Sequence, residues 1–109
     1  MSFKVILTDN FKKEAKRLSK KYPSLKIELS DLFSQLEENP IIGTLLGNDV
    51  YKIRLAIASK SKGKSGGARI ISYVQLDECS VLLLSIYNKG EKNNITDKEI
   101  LELLKKHSS

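Results

Sequence analysis

The sequence is short of the residue types that most often do chemistry. It has one cysteine, one histidine, two prolines and no tryptophan in 109 residues. A lone Cys79, with no second thiol or histidine beside it, cannot build an intramolecular disulfide framework or a metal-ligand cluster. The chain therefore reads as metal-free and cytoplasmic. The single His107 lies close to the C-terminus, where ends fray, so hydrolase arrangements that need a placed imidazole are poorly served. Long apolar runs are missing too: the longest strand-like run is Val81 to Leu84, far from the roughly 18 to 20 residues that cross a bilayer. The opening Met1-Ser2-Phe3-Lys4-Val5-Ile6-Leu7-Thr8-Asp9 has too short an apolar stretch for an export signal. What is present is the average of a soluble globular chain, 40% hydrophobic and 29% charged, enough for one core in one domain spanning 1–109.

Acidic residues are missing from one window in particular. Between Val50 and Leu76 the chain carries Lys52, Arg54, Lys60, Lys62, Lys64 and Arg69 and no Asp or Glu, so this segment holds the whole net charge of +6. A positive field confined to one segment attracts and orients a polyanion, of which a phosphate backbone is the commonest. The plainer reading is a solvated basic loop.

Periodicity sets the architecture. Phe3 to Leu7 reads as a strand, and Thr8-Asp9-Asn10 as a helix start. Phe11, Ala15 and Leu18 then follow helical spacing, with Lys12, Lys13, Lys16, Arg17 and Lys20 on the other faces. Past Pro23, Leu25, Leu29, Leu32, Phe33 and Leu36 resume the helical period up to Asn39-Pro40, completing a helical hairpin. Its second arm is acidic, with Glu28, Asp31, Glu37 and Glu38, and both arms read as solvated outer faces that attract one another weakly. Ile41 to Asp49 reads as a connecting loop. Val50 to Ala58 alternates with period two, Tyr51, Ile53, Leu55 and Ile57 on a core face and Lys52 and Arg54 opposite. Ser59 to Gly67 is a polar, lysine-bearing connector. Ala68 to Leu76 and Val81 to Asn88 are two more strands around the turn at Asp77-Glu78-Cys79-Ser80. Ile95-Thr96-Asp97-Lys98-Glu99-Ile100 holds a capping box (Thr96, Glu99) and a hydrophobic staple (Ile95, Ile100) that open a last helix. The order β-α-α-β-β-β-α implies an α+β fold: a mostly antiparallel four-stranded sheet, the helical hairpin on one face and a short C-terminal helix.

Within that frame Gly63-Lys64-Ser65 is a false lead for a phosphate-cradling loop, because Ala58 stands where its first glycine belongs and no helix follows. What remains is cations and tyrosines. Arg54 and Arg69 lie on strands flanking the lysine loop, and Tyr87 and Lys89 share parity at the end of the last strand, so these groups could gather on one uncovered sheet face. Taken singly, each is as well read as an ordinary strand aromatic or a solvated cation.

The stretch Lys64-Ser65-Gly66-Gly67-Ala68-Arg69-Ile70-Ile71-Ser72-Tyr73, together with Leu84-Ser85-Ile86-Tyr87-Asn88-Lys89-Gly90-Glu91 and the short capped helix after it, resembles the RelE/ParE superfamily of bacterial toxins, on the HigB-like side. The resemblance covers nearly the whole chain and implies a RelE-like toxin of a type II toxin-antitoxin pair. Its implied activity is that of a ribosome-dependent mRNA endoribonuclease that inhibits translation; some members of the superfamily instead poison DNA gyrase without cutting anything. Carried over by position, it offers Arg54, Arg69, Tyr87 and Lys89 as catalytic residues and Lys52, Lys60, Lys62 and Lys64 as RNA-binding ones. Cleavage would proceed by attack of the ribose 2′-hydroxyl on phosphorus, with Lys89 or Tyr87 as proton acceptor and the arginines stabilising the phosphoryl oxygens. No metal or small-molecule cofactor is implied. The implied partners are ribosome-bound mRNA, ribosomal RNA and an antitoxin that covers the basic face, with no membrane involved. A small RNA-binding module of another class is disfavoured: Phe3, Phe11 and Phe33 fit the core and leave only tyrosines for base stacking.

Overall fold

The structure, a computed structural model, describes residues 2–60, 67–92 and 94–108. The elements run β1 (Lys4–Leu7), α1 (Asp9–Lys21), α2 (Leu25–Glu38), β2 (Thr44–Gly47), β3 (Val50–Leu55), β4 (Ala68–Gln75), β5 (Ser80–Asn88) and α3 (Asp97–Ser108), with short 3-10 turns at Ala58–Lys60 and Leu76–Glu78. They form one five-stranded mixed sheet in the order β1-β5-β4-β3-β2. β1 pairs with β5 in parallel and the other neighbours are antiparallel.

The sheet therefore has five strands where alternation indicates four. The extra strand, β2, lies in the segment expected to be a loop. All four of its residues are exposed, so no buried face imposes the period-two pattern that betrays a strand. The local signal was in the turn: Asn48 and Asp49 both take positive φ, 49° and 64°, the conformation of a two-residue hairpin whose twist matches its strands.

Each face of the sheet buries its own cluster. On one, α1 and α2 set Phe11, Leu18, Leu25, Leu29, Leu32 and Leu36 against Ile53, Ile57, Ala68, Ile70, Val81, Leu83 and Ile86. On the other, Val50, Ile71, Leu82, Leu84 and Tyr87 pack with Ile95 and Ile100 and, at the margin, Leu103 and Leu104 of α3. The second face is thus not left uncovered. The staple and capping box place α3 there: Thr96 N–H donates to Glu99 Oε1 at 3.0 Å, and Glu99 N–H to Thr96 Oγ1 at 3.1 Å.

The acids of the hairpin are not all solvated. Glu28 on α2 accepts the Ala58 N–H at 2.7 Å, and Ser24 accepts the Ser59 N–H at 3.1 Å. The start of α2 thereby fixes the turn through which β3 leaves the sheet. At the return, Gly67 lies so close to β3 that a Cβ there would fall 2.1 Å from the Leu55 carbonyl oxygen. Only glycine admits that approach without moving backbone. Gly67→Ala is expected to destabilise the fold by about 1–3 kcal/mol, read as a lowered Tm in thermal denaturation; an unchanged Tm would show that the β3–β4 entry is looser than described.

Candidate active site

Strand register builds the site. Arg54 on β3 stands directly opposite Arg69 on β4, and Arg69 stands opposite Tyr87 on β5. Residues opposite one another in an antiparallel pair project from the same face, with Cβ atoms about 4.5–5.5 Å apart. Three of the four expected catalytic residues thus form one row across three strands. Lys52 lies in the neighbouring row, opposite Ile71, which is in turn opposite Ser85. Lys89 follows just past the end of β5, half-buried, its N–H donated to the Gly67 carbonyl at 3.1 Å. Lys62, Lys64 and the Gly63-Lys64-Ser65 stretch fall outside the described residues, as does the side chain of Lys60.

Parity alone would not put Tyr87 in this row. Val81 and Leu83 belong to the cluster under the helical hairpin, and a strictly alternating strand would send residue 87 the same way. A register shift intervenes: Ser72 pairs with Leu83 and Ile71 with Ser85, so Leu84 is an extra residue on β5. Beyond this bulge the parity inverts, Ile86 joining the hairpin cluster and Tyr87 the opposite one. A bulge that re-aims a side chain is a recurrent device beside functional sites.

The row is graded in exposure. Arg54 is exposed, whereas Arg69 and Tyr87 are only 3% and 4% exposed. The Arg69 guanidinium donates to the Ala68 carbonyl oxygen at 3.2 Å. Among the described residues the buried Tyr87 hydroxyl has no hydrogen-bond partner, a condition that costs about 1–3 kcal/mol. Burial pushes the Tyr87 pKa up, Arg69 pulls it partly back, and the Glu99 carboxylate raises it further. That direction runs against the expectation of a tyrosine activated as a base. With burial dominant, its hydroxyl keeps its proton and is a donor.

Sequence reasoning missed Lys92, which joins the row from above. Its ammonium lies 5.6 Å from the centre of the Tyr87 ring and pairs with Glu99. The Lys92 hydrogen bond, and then the Thr96 N–H, hold the Glu99 carboxyl below its ordinary range. On the other side of the β5 terminus, Arg17 pairs with Glu91 at 3.3 Å and is the first cause of a lowered Glu91 pKa. Among the described residues no cluster of His, Cys, Asp and Glu could hold a metal ion, and no helix is long and apolar enough to cross a membrane. The chemistry open to the row is the handling of phosphate, since it sets two guanidiniums and a hydroxyl donor side by side across three strands.

Comparison with known proteins fixes what class of protein carries this row. Residues 3–109 match the model of the family described as the RelE toxin of the RelE/RelB toxin-antitoxin system. That match spans nearly the whole chain and makes it a toxin of a type II toxin-antitoxin system. Within that class the chain belongs to the RelE family, whose toxins are ribosome-dependent mRNA endoribonucleases. Among solved structures, a mutant of the E. coli toxin RelE in the free state is similar at a TM-score of 0.65 and 21% identity, covering 97% of this chain and 98% of that one. The toxin in the intact E. coli RelBE toxin-antitoxin complex gives 0.61 and 22%, over 80% and 96% of the two chains. A RelBE toxin-antitoxin complex of Mycobacterium tuberculosis gives 0.58 and 14%, over 81% and 92%. At these identities the likeness is one of fold.

The raised Tyr87 pKa has a measurable consequence. A tyrosine whose folded pKa lies above its unfolded value of about 10 stabilises the fold fully below that pH, and the contribution is lost as pH rises through the folded value. The Tm of the wild type should therefore fall more steeply above about pH 10 than that of Tyr87→Phe; parallel curves would mean that the hydroxyl is not buried in solution.

Proposed function

We propose that the Arg54–Arg69–Tyr87 row, with Lys89 at its end, is the centre at which this toxin cleaves ribosome-bound mRNA. The ribose 2′-oxygen attacks the adjacent phosphorus as Lys89 takes its proton, and the bond to the 5′-oxygen breaks, leaving a cyclic phosphate and a free 5′-hydroxyl. Arg69 and Arg54 neutralise the charge that grows on the non-bridging oxygens, where guanidinium geometry fits. Tyr87 donates to the leaving 5′-oxygen, the role its protonated hydroxyl suits. Lys52, Lys60, Lys62 and Lys64 hold the RNA backbone, and no metal or cofactor takes part. The observation that carries this reading is the cross-strand register, which sets two like charges opposite one another beside a buried hydroxyl that has no hydrogen-bond partner among the described residues.

Because Tyr87 packs against Ile95 and Ile100, substrate reaches it only when the α3 segment lifts away, and Arg54 is the first member of the row that an RNA meets. We assign the chain to the HigB-like branch on Gly66-Gly67-x-Arg69 and Tyr87-x-Lys89-x-Glu91, and treat 1–109 as a single toxin domain. Its partner is a RelB-type antitoxin that covers the basic face with an acidic or amphipathic segment, charge complementarity setting the encounter.

Arg69→Met keeps side-chain bulk and removes the donor. It is expected to lower cleavage of ribosome-bound mRNA by about 100-fold or more, measured by mapping transcript 5′ ends, with circular dichroism showing an intact fold. Undiminished cleavage by the folded variant would remove Arg69 from the mechanism.

A further inference from the structure

The bulge that turns Tyr87 into the row is held from outside the sheet. The β1–β5 ladder ends at Leu7 opposite Leu83, so from Leu84 onward that edge of β5 has no neighbouring strand. The first turns of α1 supply side chains in its place. Thr8 Oγ1 donates to the Leu83 carbonyl at 2.7 Å, and Asn10 Nδ2 to the Leu84 carbonyl at 2.9 Å. Glu14 Oε1 accepts the Ser85 hydroxyl at 2.7 Å, the Ile86 N–H at 3.3 Å and the second Asn10 proton at 2.8 Å. Four successive residues, the bulge and its flanks, are thereby satisfied by three side chains of the helix start.

We propose that Glu14 is a positioning residue for the cleavage centre: its carboxylate fixes the Leu84 bulge and so decides which face of the sheet Tyr87 occupies. Glu14 is the only one of the three that binds residues on the Tyr87 side of the bulge, and it takes hold of both Ser85 and Ile86. Without an acceptor there, the Ile86 N–H has no strand partner on that edge. Regular alternation from Leu83 would then turn Tyr87 toward the helical hairpin, away from Arg69. The sequence position fits this duty. Glu14 is three residues after Phe11 and four before Leu18, so it lies along the apolar stripe of α1, where a carboxylate is retained only with partners.

The kinetic half of the test rests on Tyr87 acting in cleavage, and the geometric half does not. Glu14→Ala and Glu14→Gln are compared with wild type by amide exchange at Ile86, by the nuclear Overhauser contact between the Tyr87 ring and Arg69, and by kcat and KM on ribosome-bound mRNA. Glu14→Ala should expose the Ile86 amide, erase the Tyr87–Arg69 contact and lower kcat about 100-fold, the scale of a small misplacement, while KM stays within about twofold, below the tenfold that 1.36 kcal/mol of lost binding would give. Glu14→Gln keeps an acceptor oxygen and should restore all three. An intact Tyr87–Arg69 contact in Glu14→Ala, or equal losses in both variants, would overturn the proposal, the second by showing that charge and not hydrogen-bond geometry matters. Should Glu14→Ala not fold, Glu14→Asp keeps the charge on a shorter arm: a weakened contact supports the assignment, and wild-type values overturn it. If Tyr87→Phe cleaves like wild type, the cleavage role of Tyr87 fails, and the contact and exchange data still decide the role of Glu14.

Discussion

The site depends on the register of β3, β4 and β5, and on the one extra residue that resets it. Without the shift at Leu84, β5 would still bury its leucines and valine against both layers, but its tyrosine would belong to the wrong one. A one-residue change in pairing inverts every side chain that follows. The sheet therefore carries two instructions in one strand: an apolar core on each face in its first half, and a polar row in its second. The start of α1 reconciles them by offering hydrogen bonds along an edge that β1 is too short to cover.

Much of the architecture was legible because several local signals agreed. Thr8 does cap α1, its hydroxyl accepting the Phe11 N–H at 3.2 Å, and the box and staple around Thr96, Glu99, Ile95 and Ile100 open α3 as their spacing indicates. Arg54 and Arg69 could be put on one face because period two fixes it on β3 and β4. Tyr87 was placed rightly only in part. Its grouping with Lys89 follows from parity, but its meeting with Arg69 needs the bulge, and one extra residue leaves no mark in a run as uniformly apolar as Val81 to Leu84.

The remaining misses share a cause. β2 is exposed on both faces, Glu28 and Glu14 act through backbone groups distant in sequence, and the descent of α3 onto the second face is a tertiary event. Hydrophobic periodicity reports burial, not pairing, and a carboxylate that binds a backbone N–H looks in sequence like one that faces water. The intrusion of Glu14 into the apolar stripe of its helix was the one visible trace. The net effect of α3 on the row is twofold: it dries the Tyr87 hydroxyl, and through Glu99 it keeps Lys92 occupied above the ring.

The facing arginines have a bearing on how such a toxin changes under selection. Like charges directly across a ladder weaken a sheet, so the Arg54–Arg69 pair works against the pairing of β3 with β4. Under the cleavage mechanism proposed above, enrichment of a mutant library for heat resistance alone would strip out that pair early and yield sturdier proteins that no longer cut mRNA and whose outer surface is otherwise untouched. Such disarmed forms would be natural decoys, able to soak up antitoxin while posing no threat to the cell that makes them.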